Sequence, residues 1–347
     1  MDIKNILMIS VLSGIGLFNV THAQSTGDAA DYMRSISDQY ETIQKEMWDY
    51  TSTVAHSRSA RKVEKNREVL LKTISKSINE VKALSSFDRD YSLRDSVVSF
   101  LRLNYRVLNN DFDKIIDMEE VAEQSYDMME AYLLAQELAN QKLEVAAGNM
   151  EIQYRAFADK YGVHIIENND DKISQKLKKS SEALKYYNQV YLVFFKAYKQ
   201  ELYLMDALER NDINSIEQNR NALSGISDEG LEKLTGISHF KGDNSINASC
   251  RRMLLFYKDE AETKIPVLTD FLQTTDEYNK MAELFKSKDR KLLTKDEVDK
   301  YNEAVNNYNK GVNKFNTTNN TLNFKRSYNL EQWNNSVGAF MTRQVPK

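Results

Sequence analysis

The sequence predicts an all-α fold, an elongated helical bundle of long amphipathic helices, and three observations carry that expectation. The 347 residues include only 2 Pro and 11 Gly, against the ~17 Pro and ~24 Gly of average usage. A many-stranded sheet needs a breaker at every reversal, and these are too few. Apolar residues also recur at steps of three and four over several long stretches, which is the period of one helix face. Finally, 41% hydrophobic with 28% charged residues is enough to bury a core while keeping polar faces in water, so global disorder is excluded.

The first segment reads as an address. Lys4 precedes an apolar run of 13 residues, Ile6 to Phe18, and Thr21-His22-Ala23 follows with small residues at the third-last and last positions. A positive start, a short apolar core and a small-x-small exit describe a secretory signal peptide over residues 1–23, cleaved between Ala23 and Gln24. The apolar run is too short to cross ~30 Å of hydrocarbon. No later stretch approaches the span length, so the mature chain is expected to have no transmembrane segment. No Cys stands at the exit, so this leader does not direct lipid attachment there.

Helices follow in order. Met33, Ile36, Tyr40, Ile43, Met47, Tyr50 and Val54 form one stripe. Ser85 to Asp90 separates two early helices, and a further helix is expected from about Met118 to Phe157. Gly162 to Asp171 divides the chain near its middle. A long stripe then runs through Ile173, Leu177, Ser181, Leu184, Tyr187, Tyr191, Phe194, Tyr198, Leu202 and Met205. Gly225, Gly230, Gly236 and Gly242 mark the main irregular region. Val298, Tyr301, Val305, Tyr308, Val312 and Phe315 step in coiled-coil fashion, and the Asn-rich segment after Asn316 keeps helical spacing through Leu322, Trp333 and Phe340. At ~1.5 Å per residue, helices of ~30 to 40 residues are ~45–60 Å long.

An internal repeat organises these segments. Phe87, Asp90, Ser92 and Ser96 align with Phe240, Asp243, Ser245 and Ser249 at an offset of 153. Ser92 and Ser245 are expected to cap the helices that follow. Asp117-x-x-Glu120 and Thr294-x-x-Glu297 both read as capping boxes, at an offset of 177. In that register Met128 meets Val305, Ala135 meets Val312 and Leu138 meets Phe315. The expected division is therefore a first helical repeat over 24–165 and a second over 170–347, with an insertion near 265–288 whose Pro266 starts a helix.

Little catalytic chemistry fits this composition. The net charge is −4 with 4 His and 1 Cys, which excludes a strongly basic nucleic-acid binder and most metal and redox centres. There is no C-x-x-C-H, H-E-x-x-H, phosphate-cradling glycine loop or G-x-S-x-G, and no mature His stands in Glu-x-x-His. Cys250, next to Met253 and Leu254, reads as a buried small residue. One stretch points to a ligand. His56, Arg58, Arg61, Lys62 and Lys65 crowd a connection near Ser57–Ser59. Positive charge at a helix start opposes the dipole, and free N–H groups there bind anions. A solvated basic face paired with Glu64 and Glu68 is the plainer alternative.

Trp48-Asp49-Tyr50-Thr51-Ser52, Val54-Ala55-His56, Ala60-Arg61-Lys62-Val63-Glu64, Ser92-Leu93-Arg94-Asp95-Ser96, Met118-Glu119-Glu120 and Glu123-Gln124-Ser125-Tyr126-Asp127 resemble an uncharacterised family of exported bacterial surface proteins. The similarity covers nearly the whole mature chain. The resemblance implies bacterial export, to periplasm or cell surface, and a helical fold; it transfers no catalytic residue. The expected function is that of a structural or interaction module of the cell envelope, not an enzyme, with no cofactor and an unknown protein or envelope component as partner. The alternative is a helical binding protein for a small anion or acidic ligand, using residues 56–67.

Overall fold

A computed structural model describes residues 28–57, 59–111, 124–165, 172–289 and 292–345. The described chain is all-α: α1 (Asp28–His56), α2 (Ala60–Ala83), α3 (Ser92–Arg106), α4 (Tyr126–Lys160), α5 (Lys172–Glu209), α6 (Ile213–Gly236), α7 (Ser245–Asp259), α8 (Ile265–Ser287) and α9 (Lys295–Gln344). Single π turns follow α3, at Val107–Asp111, and α7, at Glu260–Lys264. Among the described residues no strand forms; two isolated bridges, Phe87 to Asp90 and Phe240 to Asp243, close tight turns. The chain divides into two compact units. The first holds residues up to Asn188 together with Gly338–Lys347, and the second holds Gln189–Val337.

In the first unit α1 and α2 form an antiparallel pair, because the α1 stripe is apolar where α2 presents Leu70, Ile74 and Val81. Met33, Ile36, Tyr40, Ile43, Met47 and Tyr50 are all buried, as their spacing predicts. Leu93, Val97 and Leu101 of α3 and Tyr132, Leu143, Met150 and Phe157 of α4 complete this core. Several polar groups inside it are matched. Asn66 donates to Thr53 Oγ1 at 2.7 Å, Gln44 to Ser174 Oγ at 2.8 Å, and Ser77 to Gln39 Oε1 at 3.0 Å. Arg67 is buried, forms an ion pair with Glu64 at 2.8 Å and donates to the Leu108 carbonyl at 2.9 Å. That guanidinium both neutralises a carboxylate and satisfies a carbonyl of the π turn.

The second unit is assembled from Phe194 and Leu204 of α5, Leu223 and Leu234 of α6, Cys250, Met253, Leu254 and Tyr257 of α7, and Trp333 of α9, all buried. Trp333 stacks on Phe194 with ring centroids 4.4 Å apart. Cys250 is fully buried and burial pushes its thiol far up, so it is an inert core residue. Beyond this core α8 and the first half of α9 form a two-helix hairpin. Phe271, Tyr278 and Phe285 stand seven residues apart, as do Tyr301, Tyr308 and Phe315, and their rings interleave at 4.4–6.5 Å. Seven-residue spacing on both partners is a coiled-coil seam. Gly311 permits it, since a Cβ there would lie 2.8 Å from the Phe271 ring.

The segments related by 153 residues share local geometry. α2 and α6 span 24 residues each, α3 and α7 span 15 each, and both of the latter end in a five-residue π turn. The preceding turns place Asp88 and Arg89 (φ 48° and 61°) and Lys241 and Gly242 (φ 49° and 87°) in the left-handed region. The pair Arg67–Glu64 recurs as Arg220–Glu217.

Several expectations need adjusting. Ser92 and Ser245 are the first helical residues rather than the caps; their N–H groups donate to Asp90 Oδ1 and Asp243 Oδ1, each at 2.9 Å. The aspartate two residues earlier reaches the orphan amide because the left-handed pair folds the chain back. Gly225 and Gly230 lie inside α6 rather than in an irregular region. Gly230 is a packing glycine, with a Cβ position only 3.0 Å from Leu254. Thr294 and Glu297 do exchange a capping box, at 2.9 and 3.3 Å, and α8 starts with Pro266 in its first turn. Asp117 and Glu120 lie outside the described residues, as do Ala23 and Gln24. Met128 and Leu138 are exposed, whereas Val305 and Phe315 are half-buried in the hairpin; Ala135 and Val312 are both half-buried, so the register at 177 pairs like environments at one of these three positions.

Candidate functional site

The basic stretch is placed as follows. α1 ends at His56 and α2 begins at Ala60, so the connection falls where the sequence suggested. Ser59 caps α2, its Oγ accepting the Lys62 N–H at 3.4 Å, and the first turn holds no acidic residue. His56 is half-buried with Nε2 2.6 Å from the Val345 carbonyl, which occupies the ring with a backbone acceptor. Arg61, Lys62 and Lys65 are exposed, and Arg58 lies outside the described residues. Arg67, the innermost cation of the stretch, is committed to Glu64 and Leu108. The structure thus brings His56 to the end of α9 and leaves Arg61, Lys62 and Lys65 on a solvated face.

Two other arrangements stand out, and neither was singled out in the sequence. The first is on α4, which carries two apolar stripes. One packs into the core of its unit through Tyr132, Leu143, Met150 and Phe157. The other faces solvent: Leu134 is 57% exposed, Leu138 48%, Val145 66% and Ile152 61%. These four residues span ~27 Å along the helix at ~1.5 Å per residue. A stripe of this length is more than scattered surface leucines, which need no explanation. Glu130, Glu137, Glu144 and Glu151 follow at seven-residue intervals along one edge. Glu137 accepts from Lys185 at 2.6 Å and Glu151 from Arg155 at 3.1 Å. The signal was present in the sequence, since Leu133-Leu134 and Val145-Ala146-Ala147 put apolar residues on both faces of α4.

The second arrangement is a buried charge cluster in the other unit. Arg326 of α9 donates from Nε to Glu201 of α5 and from Nη2 to Glu260, the first residue of the second π turn. A third bond goes from Nη1 to Asn323 Oδ1 at 2.7 Å. Glu201 is 1% exposed and Glu260 is wholly buried. The Tyr257 hydroxyl lies inside the same pocket of charge, and desolvation followed by the two carboxylates pushes its ionisation far up. Desolvation also raises both glutamates above the ordinary carboxylate range, Glu260 to about 8. The partners are 59 to 125 residues apart in sequence, which no local pattern could connect.

Among the described residues no group of three His, Cys, Asp or Glu side chains is placed to hold a metal ion. Among them, too, no helix is long and apolar enough to cross a membrane. No protein-family model, curated protein or solved structure matches the chain.

Proposed function

We propose that this chain is an exported protein of the bacterial cell envelope or surface that acts as an interaction module, without catalytic chemistry, and that it engages its partner through α4. The observation that carries the reading is the solvent-facing row Leu134, Leu138, Val145 and Ile152 on a helix whose opposite face is already buried. An apolar stripe edged by glutamates fits a partner helix with an apolar stripe edged by Lys or Arg. Antiparallel pairing with a second copy would bring two glutamate rows together, which disfavours self-association through this face. Export rests on the leader at residues 1–23, and N-terminal sequencing of secreted material should begin at Gln24. The two halves related by 153 residues are read as a duplication that built two similar helical frames.

The test is calorimetric titration with two synthetic amphipathic helices that share one apolar stripe and differ only in a Lys or a Glu edge. The Lys-edged helix is expected to bind, and the pair Leu138→Glu and Val145→Glu to abolish binding without changing the helical signal. Equal binding of both helices, or of neither, contradicts the reading.

A second reading, binding of a small anion by His56, Arg58, Arg61, Lys62 and Lys65, is favoured by the helix start at Ala60 with no acidic residue in its first turn. A bound anion at ~100 times its dissociation constant stabilises by ~2.7 kcal/mol. A phosphate-dependent rise in melting temperature, lost on Arg61→Glu and Lys62→Glu, supports it; no rise with phosphate or sulfate removes it.

A further inference from the structure

Glu201, Glu260 and Arg326 sit where the fold does not need charge. The positions 153 residues before the two glutamates are Trp48 and Val107, both buried apolar residues. Val107 opens the first π turn as Glu260 opens the second. The same helical frame is therefore built with apolar groups in one unit and with an ionic cluster in the other. Buried ion pairs stabilise little compared with apolar packing, because desolvation offsets most of the Coulomb gain. Stability alone therefore gives little account of this cluster.

The charge count suggests what. Two carboxylates against one guanidinium leave a net negative charge when both are ionised, and none when one proton is held between them. Glu260 Oε2 is buried with no hydrogen-bond donor. The two carboxyl groups lie within reach of each other, so a proton on Glu260 would turn that orphan acceptor into a donor to Glu201. The groups facing the cluster come from four elements: Glu201 and Tyr198 on α5, Tyr257 on α7, Glu260 on the π turn, and Arg326 with Asn323 on α9. At its margin Lys325 approaches Asp259 at 3.8 Å. Among these facing groups Arg326 is the cation that meets both glutamates.

We propose that Glu201, Glu260 and Arg326 form a pH-responsive latch that fastens α9 to α5 and the second π turn while one proton is shared by the two carboxylates, and loosens α9 when that proton leaves. The sign follows from the burial. Desolvation holds Glu260 up at about 8, so the folded state keeps a proton that the unfolded chain gives up near the ordinary glutamate value. The latch is fully fast below the ordinary glutamate value, weakens as pH rises above it, and has lost this contribution once pH passes the folded value. π turns interrupt a helix locally and are frequent at functional sites.

Trp333 reports on the latch, being seven residues beyond Arg326 on α9, fully buried and stacked on Phe194. In full-length protein carrying Trp48→Phe, Trp333 is the single tryptophan. Its emission should shift to the red as pH rises from about 5 to about 9, with an unchanged far-ultraviolet helical signal. Glu260→Gln should remove the shift. Constant emission across this range, or an unaltered transition in Glu260→Gln, overturns the proposal. Should Glu260→Gln fail to fold, hydrogen exchange of the wild-type chain decides. Corrected for the chemical rate, exchange in residues 322–337 should rise at least about tenfold relative to α7 over the same range. Equal protection of the two segments at both ends overturns the latch.

Discussion

Removing the positive centre of the buried cluster should be far more damaging than removing the whole cluster. In Arg326→Met the two glutamates, 1% and 0% exposed, face each other without a countercharge. Breaking a buried pair in this way costs about 3–5 kcal/mol. That is a large fraction of the ~5–15 kcal/mol that holds a domain folded. For a unit of this size the loss corresponds to a fall of ~6–20 °C in melting temperature at ~2–4 °C per kcal/mol. The triple variant Glu201→Leu, Glu260→Val, Arg326→Met follows the apolar pattern that Trp48 and Val107 set in the other unit. It should recover the loss and reach wild-type stability or exceed it by ~1–4 kcal/mol. Urea unfolding followed by Trp333 emission, with Trp48→Phe in each background, measures all three chains. The reasoning fails if Arg326→Met loses less than ~1 kcal/mol, or if the triple variant is no more stable than the single one.

Other expectations are local. The Lys160 ammonium, at 2.6 Å, and then Ser92 hold the Asp90 carboxyl well below its usual range, so its contribution exists above about pH 4 and fades as pH falls further. Asp90→Ala should cost ~1 kcal/mol as a lost helix cap, and the gap from wild type in urea midpoints should narrow in acid. Gly148 has open space where a Cβ would stand, so Gly148→Ala should stabilise by ~0.5–1 kcal/mol. Gly311→Ala should instead destabilise the hairpin, because the new Cβ meets the Phe271 ring at 2.8 Å and overpacking costs ~1–3 kcal/mol; melting curves separate the two. His56→Ala should loosen the end of α9 at Val345, where the ring bonds the carbonyl at 2.6 Å, and raise amide exchange of residues 341–345 with little change in global stability.

Helical class and the main stripes were legible because burial on a helix follows a period the sequence carries openly. Met33 through Tyr50 of α1 and the Phe and Tyr ladder of the hairpin are examples. Caps were legible to within two residues: an Asp-based turn and a Ser cap share composition, and only the left-handed pair at Asp88 and Arg89 decides which oxygen reaches the amide. The glycines of α6 misled because a helix-weakening residue is tolerated where a neighbour needs its space, as Leu254 does above Gly230. The basic stretch was visible as charge density, but density does not say which cations are consumed by partners such as Glu64 and the Leu108 carbonyl. The buried cluster depends on three residues far apart in sequence. Only the comparison of Glu201 with Trp48 and Glu260 with Val107 hinted that charge replaces an apolar frame.

The most direct test of the interaction reading is hydrogen exchange across α4 with and without the Lys-edged amphipathic helix. Protection confined to residues 131–156, and absent in Leu138→Glu with Val145→Glu, is the expected result. Protection elsewhere, in the α8–α9 hairpin for instance, or none at saturating peptide, would contradict the assignment of α4 as the partner-binding face.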